Sequence, residues 1–291
     1  MLKLEEINIR DPFVLVHEGV YYLYGTRGAT CWGPADGFDV YTSTDREHWD
    51  GPFVCFANDG SFWADRNYWA PEVHEWHGAF YMFASFKNER VCRGTAILRA
   101  DSPMGPFVPH SDGPVTPRDW ECLDGTFYVD RQGKPYMVFC HEWVQIGNGE
   151  VLAMPLTEDL RAAAGEPFLL FKATDAPWMQ VRHTDKGALC CVTDGPFLWR
   201  TAQGSLLCLW ASFSATGYTE GLGVSDNGEI DGHFTQIEPL FRKDGGHGMV
   251  FRTPEGQLYL TLHTPNEHLK EHPVFYPLTD AGDRLVCGTE G

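Results

Sequence analysis

A chain of 291 residues, 43% hydrophobic and 14% aromatic, has material for one large core or two average domains. Its 22 Lys and Arg against 40 Asp and Glu give a formal net charge of −18, and no basic cluster relieves it, which argues against nucleic acid or an anionic membrane as partner. No apolar run reaches the roughly 18 residues that a membrane-spanning helix needs.

The first residues, Met1-Leu2-Lys3-Leu4-Glu5-Glu6, lack a basic segment followed by an apolar one, which predicts a cytoplasmic protein. The nine cysteines fit that expectation: the number is odd, no Cys-x-x-Cys occurs, and Cys140, Cys190, Cys191 and Cys208 lie in or beside apolar runs, as reduced core thiols do.

Along the chain one pattern returns five times: a polar anchor, Pro or Gly, an apolar run, a turn and a second apolar run. The copies begin Arg10-Asp11-Pro12-Phe13-Val14, Trp69-Ala70-Pro71-Glu72-Val73, Leu123-Asp124-Gly125-Thr126-Phe127, Thr193-Asp194-Gly195-Pro196-Phe197 and Gly246-His247-Gly248-Met249-Val250. Their Pro/Gly anchors at 12, 71, 125, 195 and 248 are separated by 59, 54, 70 and 53 residues. Gly-containing turns (His17-Glu18-Gly19, His77-Gly78, Asp130 to Gly133, Arg200 to Gly204, Arg252 to Gly256) join the two runs, as in hairpins. A third run follows in most units, for example Phe38 to Ser43 and Thr95 to Ala100. A period of roughly 40–60 residues with about four strands per unit predicts an all-β, five-bladed β-propeller of four-stranded antiparallel blades. With no linker between units, residues 1–291 read as a single domain. Only Thr157 to Ala164 resembles a short helix.

In a propeller the innermost strands start near one face of the central channel. Asp11, Asp124 and Asp194 therefore ring the axis, with Glu72 just past the second anchor. Like charges around a polar funnel raise at least one pKa, so the set can supply one protonated acid and one ionised base, as glycosidic cleavage requires. An Asp before Pro or Gly is also common turn chemistry. Three at matched places favour function.

These motifs, in order and across the whole chain, resemble glycoside hydrolase family 43. The resemblance implies a five-bladed propeller with inverting α-L-arabinofuranosidase, β-xylosidase, endo-arabinanase or galactofuranosidase activity. It implies Asp11 as general base and Asp124 as the residue that tunes and orients the acid. Asp194 falls where the family usually has a longer glutamate as general acid, so Glu220, Glu142 and Glu72 stand as alternatives. His247 matches an axial histidine beside a central metal ion, often calcium, although no cofactor is required for the chemistry. Fructan-cleaving propellers of families 32 and 68 share Arg-Asp-Pro, but there it belongs to a later blade, and their Asn-Asp-Pro is absent here.

Sugar pockets present aromatic faces and planar polar groups, which nominates Arg66, Tyr68 and Trp69, then Trp32, then His141, Glu142 and Trp143, with Glu72 beside them. Arg182 and His183, in the 70-residue step between the third and fourth anchors, are placed to reach in on a specificity loop. The expected partner is a small oligosaccharide, and the expected action is exo, trimming terminal pentoses from oligosaccharides imported into the cytoplasm. A glycoside phosphorylase would need a basic cluster near the acid, and a non-catalytic carbohydrate-binding propeller would have lost the acid. The sequence sets no oligomeric state.

Overall fold

The computed structural model describes residues 1–288. Blade one is β1 (Ile9–His17), β2 (Val20–Arg27), β3 (Gly37–Ser43) and β4 (Asp50–Ala57). Blade two is β5 (Arg66–Trp76), β6 (Ala79–Lys87), β7 (Gly94–Ala100) and the short β8 (Val108–Pro109). Blade three holds β9 (Cys122–Val129), β10 (Pro135–His141), the four-residue helix α1 (Trp143–Ile146), β11 (Glu150–Pro155) and β12 (Phe168–Lys172). A two-stranded hairpin, β13 (Arg182–His183) and β14 (Leu189–Cys190), precedes blade four. That blade is β15 (Asp194–Arg200), β16 (Leu206–Ser214), β17 (Gly217–Ser225) and β18 (Phe234–Phe241). Blade five is β19 (Gly246–Arg252), β20 (Leu258–Thr264), β21 (His272–Asp280) and β22 (Leu285–Cys287). Each blade is an antiparallel meander in sequence order, the five-bladed propeller expected from the repeat.

Two turn chemistries write the inner hairpins. Glu18-Gly19 and His77-Gly78 have positive φ at both residues, the two-residue turn whose twist matches the flanking strands. The longer turns use a side-chain acceptor: Asp130 Oδ1 accepts the Gln132 and Lys134 N–H groups, and Thr201 and Thr253 hydroxyls accept those of Ser205 and Gln257. Thr157 to Ala164 is the same kind of turn rather than a helix. The Thr157 hydroxyl accepts the Arg161 and Ala162 N–H groups, and Leu160 has φ 58°, so helical hydrogen bonding stops before it starts. The only α-helix among the described residues is α1.

The hydrophobic core lies between blades, where one sheet face packs on the next. Separate clusters fill the gaps between blades one and two, two and three, three and four, and four and five, and Met249 and Phe251 carry the first cluster across to blade five. Second strands are the most buried, with every residue of β10 and all but the last of β6 inaccessible. No strand is shared between the first and last blades, so side chains close the ring: Asn8 donates to the Glu271 carbonyl, and Arg10 to the Glu271 carboxylate and Asn266. Cys55, Cys122, Cys140, Cys191 and Cys208 are buried free thiols, and Cys190 is half-buried.

Candidate active site

Every first strand opens with the same irregularity. Pairing with the second strand slips after Arg10, Trp69, Leu123, Asp194 and Gly246, so that two residues bulge out. The first bulged residue is left-handed in each blade: Asp11 (φ 53°), Ala70 (46°), Asp124 (57°), Gly195 (49°) and His247 (56°). These five are the true structural equivalents. Asp194 is therefore not the counterpart of Asp11 and Asp124, as the Asp-Gly match suggested; it stands one residue earlier, in register with Arg10 and Trp69. The reason is steric. A Cβ on Gly195 would lie 2.5 Å from His247 Cδ2, so the axial place in blade four must be side-chain-free.

The axial ring is thus Asp11, Ala70, Asp124, Gly195 and His247, and it is tightly wired. His247 Nδ1 lies 3.1 Å from Asp11 Oδ1 and 3.7 Å from Asp124 Oδ2. Asp11 Oδ2 accepts the Thr26 hydroxyl at 2.6 Å, and the Asp11 N–H donates to His263 Nδ1 at 3.1 Å. His263 accepts there and is held neutral: burial, then the nearby Arg10 charge, lowers its pKa to about 3. Asp124 Oδ2 accepts the Gly195 N–H at 3.0 Å, while its own N–H donates to Ser85 Oγ. The Tyr218 hydroxyl donates to Asp194 Oδ2 at 2.9 Å, which leaves Oδ1 for a proton.

Burial and neighbours push these groups apart. Burial raises the Asp11 carboxyl, but the His247 charge and hydrogen bond overcome it and hold the group well below the carboxylate range. His247 is the mirror image: burial lowers it, and Asp11 and Asp124 raise it to about 10. Asp124 is raised to about 6, chiefly by burial against the pull of His247. Asp194 is raised to about 7, by burial and then by the Asp124 charge. At neutral pH Asp11 is ionised while Asp194 retains its proton in a substantial share of molecules, the combination that acid–base cleavage needs.

The ring floors a cavity of about 510 Å³. Asp11, Asp124, Asp194 and His247 line it together with Trp32, Trp69, Glu142, Trp143, Arg182 and His183. Trp69 is fixed from several sides: its Nε1 donates to the Cys31 carbonyl, Trp32 packs edge-on at 5.6 Å, and the Arg93 guanidinium lies 4.1 Å from its ring centroid. Arg93 also pairs with Glu142. Burial raises Glu142 to about 7 against that pairing.

Four expected pocket residues lie outside the lining. Arg66 pairs with Asp65 and Glu89 at the surface. Tyr68 is packed in the blade-one/blade-two core, its hydroxyl donating to the Ala64 carbonyl. Glu72 is consumed between blades, accepting from Thr126 and lying 3.0 Å from His74 Nε2. His141 stacks on Trp120 at 4.3 Å. Of the alternative acids, Glu72 and the fully buried Glu220 are also away from the cavity; Glu220 accepts the Gly248 N–H instead. Only Glu142 shares the cavity with Asp194. Arg10, Phe213, Tyr218 and His268, which the sequence did not nominate, do line it. Adjacency to Asp11 was a usable signal for Arg10; Tyr218 carried none, because a hairpin brings it to Asp194.

For the axial metal that the resemblance implies, His247 Nδ1 faces the Asp11 and Asp124 carboxylates, and no group of three or more His, Cys, Asp or Glu among the described residues is arranged to hold a metal ion. The imidazolium itself supplies the positive charge at the axis.

The profile described as "Glycosyl hydrolases family 43" matches residues 6–279. An endo-arabinase structure from Bacteroides thetaiotaomicron VPI-5482 is 39% identical, with a TM-score of 0.90, covering 96% of this chain and 97% of that one. The extracellular exo-α-(1→5)-L-arabinofuranosidase ArbA of Cellvibrio japonicus (strain Ueda107) is 27% identical over 301 residues, 89% of this chain and 79% of that protein. A thermostable family-43 glycoside hydrolase shares the fold at TM-score 0.82 and 22% identity, covering 97% and 93% of the two chains. The Cellvibrio relative, an extracellular enzyme, overturns the cytoplasmic location expected from the first residues. No helix among the described residues is long and apolar enough to cross a membrane.

Proposed function

This chain belongs to glycosyl hydrolase family 43 and is a glycosidase, and on that premise we propose that it hydrolyses α-L-arabinofuranosyl linkages by single displacement with inversion. Two relatives whose printed activities concern arabinose-containing substrates support the sugar. The observation that carries the mechanism is the unequal pair of carboxyls: Asp11 held ionised against His247, and Asp194 raised by burial and oriented by Tyr218.

In this reading Asp11 receives a proton from water as that water attacks the anomeric carbon from one face. Asp194 Oδ1 gives its proton to the glycosidic oxygen leaving from the other. The strong ion pair makes Asp11 a weak base in solution terms, so its contribution is chiefly to position the water. Asp124 accepts the Gly195 N–H and, through its charge, holds the proton on Asp194. Glu142 is assigned to sugar hydroxyls rather than to proton transfer, because its carboxylate is engaged by Arg93. Trp32 and Trp69 offer apolar faces to the sugar rings.

Exo action no longer has a cytoplasmic location behind it. A cavity floored by the axial ring and walled by Trp32, Trp143 and the β13–β14 hairpin supports release of single arabinose units from a chain end. Linear α-1,5-arabino-oligosaccharides test both points. Free arabinose as the first product, born as the β-anomer by NMR, is expected. Retention of configuration, or internal cleavage products, would sink the mechanism or the exo assignment respectively. Asp194→Asn is expected to lower kcat on these substrates by about 10²–10⁴-fold. The loss should be much smaller on a dinitrophenyl arabinofuranoside, whose leaving group needs no proton.

A further inference from the structure

Two arginines line the cavity, and their commitments differ. Arg10 is bound to Glu271 and Asn266. Arg182 lies over the Phe213 ring, 4.3 Å from its centroid, and no carboxylate among the described residues stands within ion-pair distance of it. The side chain of His183, beside it on the lining, likewise has no hydrogen-bond or ion-pair partner among the described residues. Both residues are exposed at the cavity, so water satisfies them in the free protein and an anion that displaces that water meets two side chains with no competing protein partner.

The hairpin that carries them is additional to the five blades, and it is pinned. The Gln180 N–H donates to the Phe213 carbonyl at 2.8 Å, Trp178 packs on Trp210 at 5.0 Å, and Leu189 abuts Gly147 after α1. The position of Arg182 relative to the chemistry can be followed ring by ring. Its guanidinium covers Phe213, Phe213 packs on Tyr218 at 5.3 Å, and the Tyr218 hydroxyl reaches Asp194 at 2.9 Å. Cys190, on the same hairpin, feels the charges of both Arg182 and Asp194, so Arg182 stands over the proposed acid, which faces the leaving group.

We propose that Arg182, with His183, forms an anion subsite for the carboxylate of a uronate residue on the leaving-group side of the scissile bond. The inference rests on the acid and base assignments above. A guanidinium held flat presents two parallel N–H donors, the match for a planar carboxylate. At the floor His247 offsets the charge of Asp11.

A matched pair of substrates tests this: arabinofuranosyl galacturonate oligosaccharides as free acids, and their neutral methyl esters. In the wild type the free acid is expected to have about five- to tenfold higher kcat/KM at low ionic strength, with the ratio falling towards one in 1 M salt. Arg182→Gln should bring the ratio to one at low salt, whatever its overall rate, and Arg182→Lys should keep part of it. A wild-type ratio of one, or a ratio that survives Arg182→Gln, overturns the subsite. Phosphate-dependent cleavage that yields a sugar phosphate also overturns it, since the anion would then be the nucleophile. Hydrolysis of neutral arabino-oligosaccharides separates the two levels. If that occurs while the acid/ester ratio is one, only the subsite falls; if it is absent, the proposed activity falls.

Discussion

Gly195 is where backbone geometry and chemistry meet in one residue. It has the left-handed conformation of the axial position and gives its N–H to Asp124, and the His247 ring occupies the space a side chain would need. Gly195→Ala is expected to displace His247 and to cost about 1–3 kcal/mol in urea unfolding, with a larger proportional loss of kcat. An unchanged midpoint would show that the ring has room to yield. The electrostatics at this scale also fix a pH profile. In the proposed mechanism Asp194 acts in its protonated form, and it is raised to about 7, so kcat/KM should fall about tenfold per pH unit above that value. Burial is the first cause of the raised value and the Asp124 charge the second. Asp124→Asn should therefore move the alkaline limb down by roughly one pH unit. A limb that stays in place would separate Asp124 from the acid.

Between elements, the contact that matters most for the site is the buried pair joining the approach to β7 with the end of β10. Arg93 and Glu142 are 8% and 7% exposed, so neither can turn to solvent if the other is lost. Arg93→Met should destabilise the protein by about 3 kcal/mol or more, a Tm drop of roughly 5 °C. Adding Glu142→Gln should recover part of the loss, because the uncompensated charge is gone. If the double variant is no more stable than the single, the pair is not what holds the two blades. The same guanidinium backs Trp69, so KM should rise with the single change. The repeat made these blades legible, yet it misaligned the fourth. Asp194-Gly195 imitates Asp124-Gly125 in letters, whereas pairing across β15 and β16 shows that Gly195, not Asp194, is the bulged residue. Register is set by cross-strand hydrogen bonds, and a dipeptide match does not reveal it.

The whole molecule is a ring without a shared closing strand, so its first and last blades depend on side chains. Arg10 reaches Glu271, whose carboxylate is fully buried, and Asn8 donates to the Glu271 carbonyl. Glu271→Ala would strand a mostly buried guanidinium next to Asp11. Faster amide exchange confined to β1 and β19, with a loss of about 3–5 kcal/mol, is the expected result. Uniform exchange across all blades would mean that packing alone closes the ring. Sequence by itself determined the number of blades, their strand order and the chain segments that supply the axis, because period-two runs, Gly turns and Pro/Gly anchors are local consequences of strand geometry. It also singled out Asp11, Asp124, Asp194 and His247, since residues at strand starts need no long-range knowledge to be placed on the channel. The tertiary structure alone decided which nearby polar residues face the cavity. Arg66, Tyr68, Glu72 and His141 were expected there but turn to the surface or into the gaps between blades. Arg10, Phe213 and Tyr218 were not expected there and line it. Which way a side chain faces in a propeller depends on how neighbouring sheets twist and pack against each other, and a single chain segment carries no record of that.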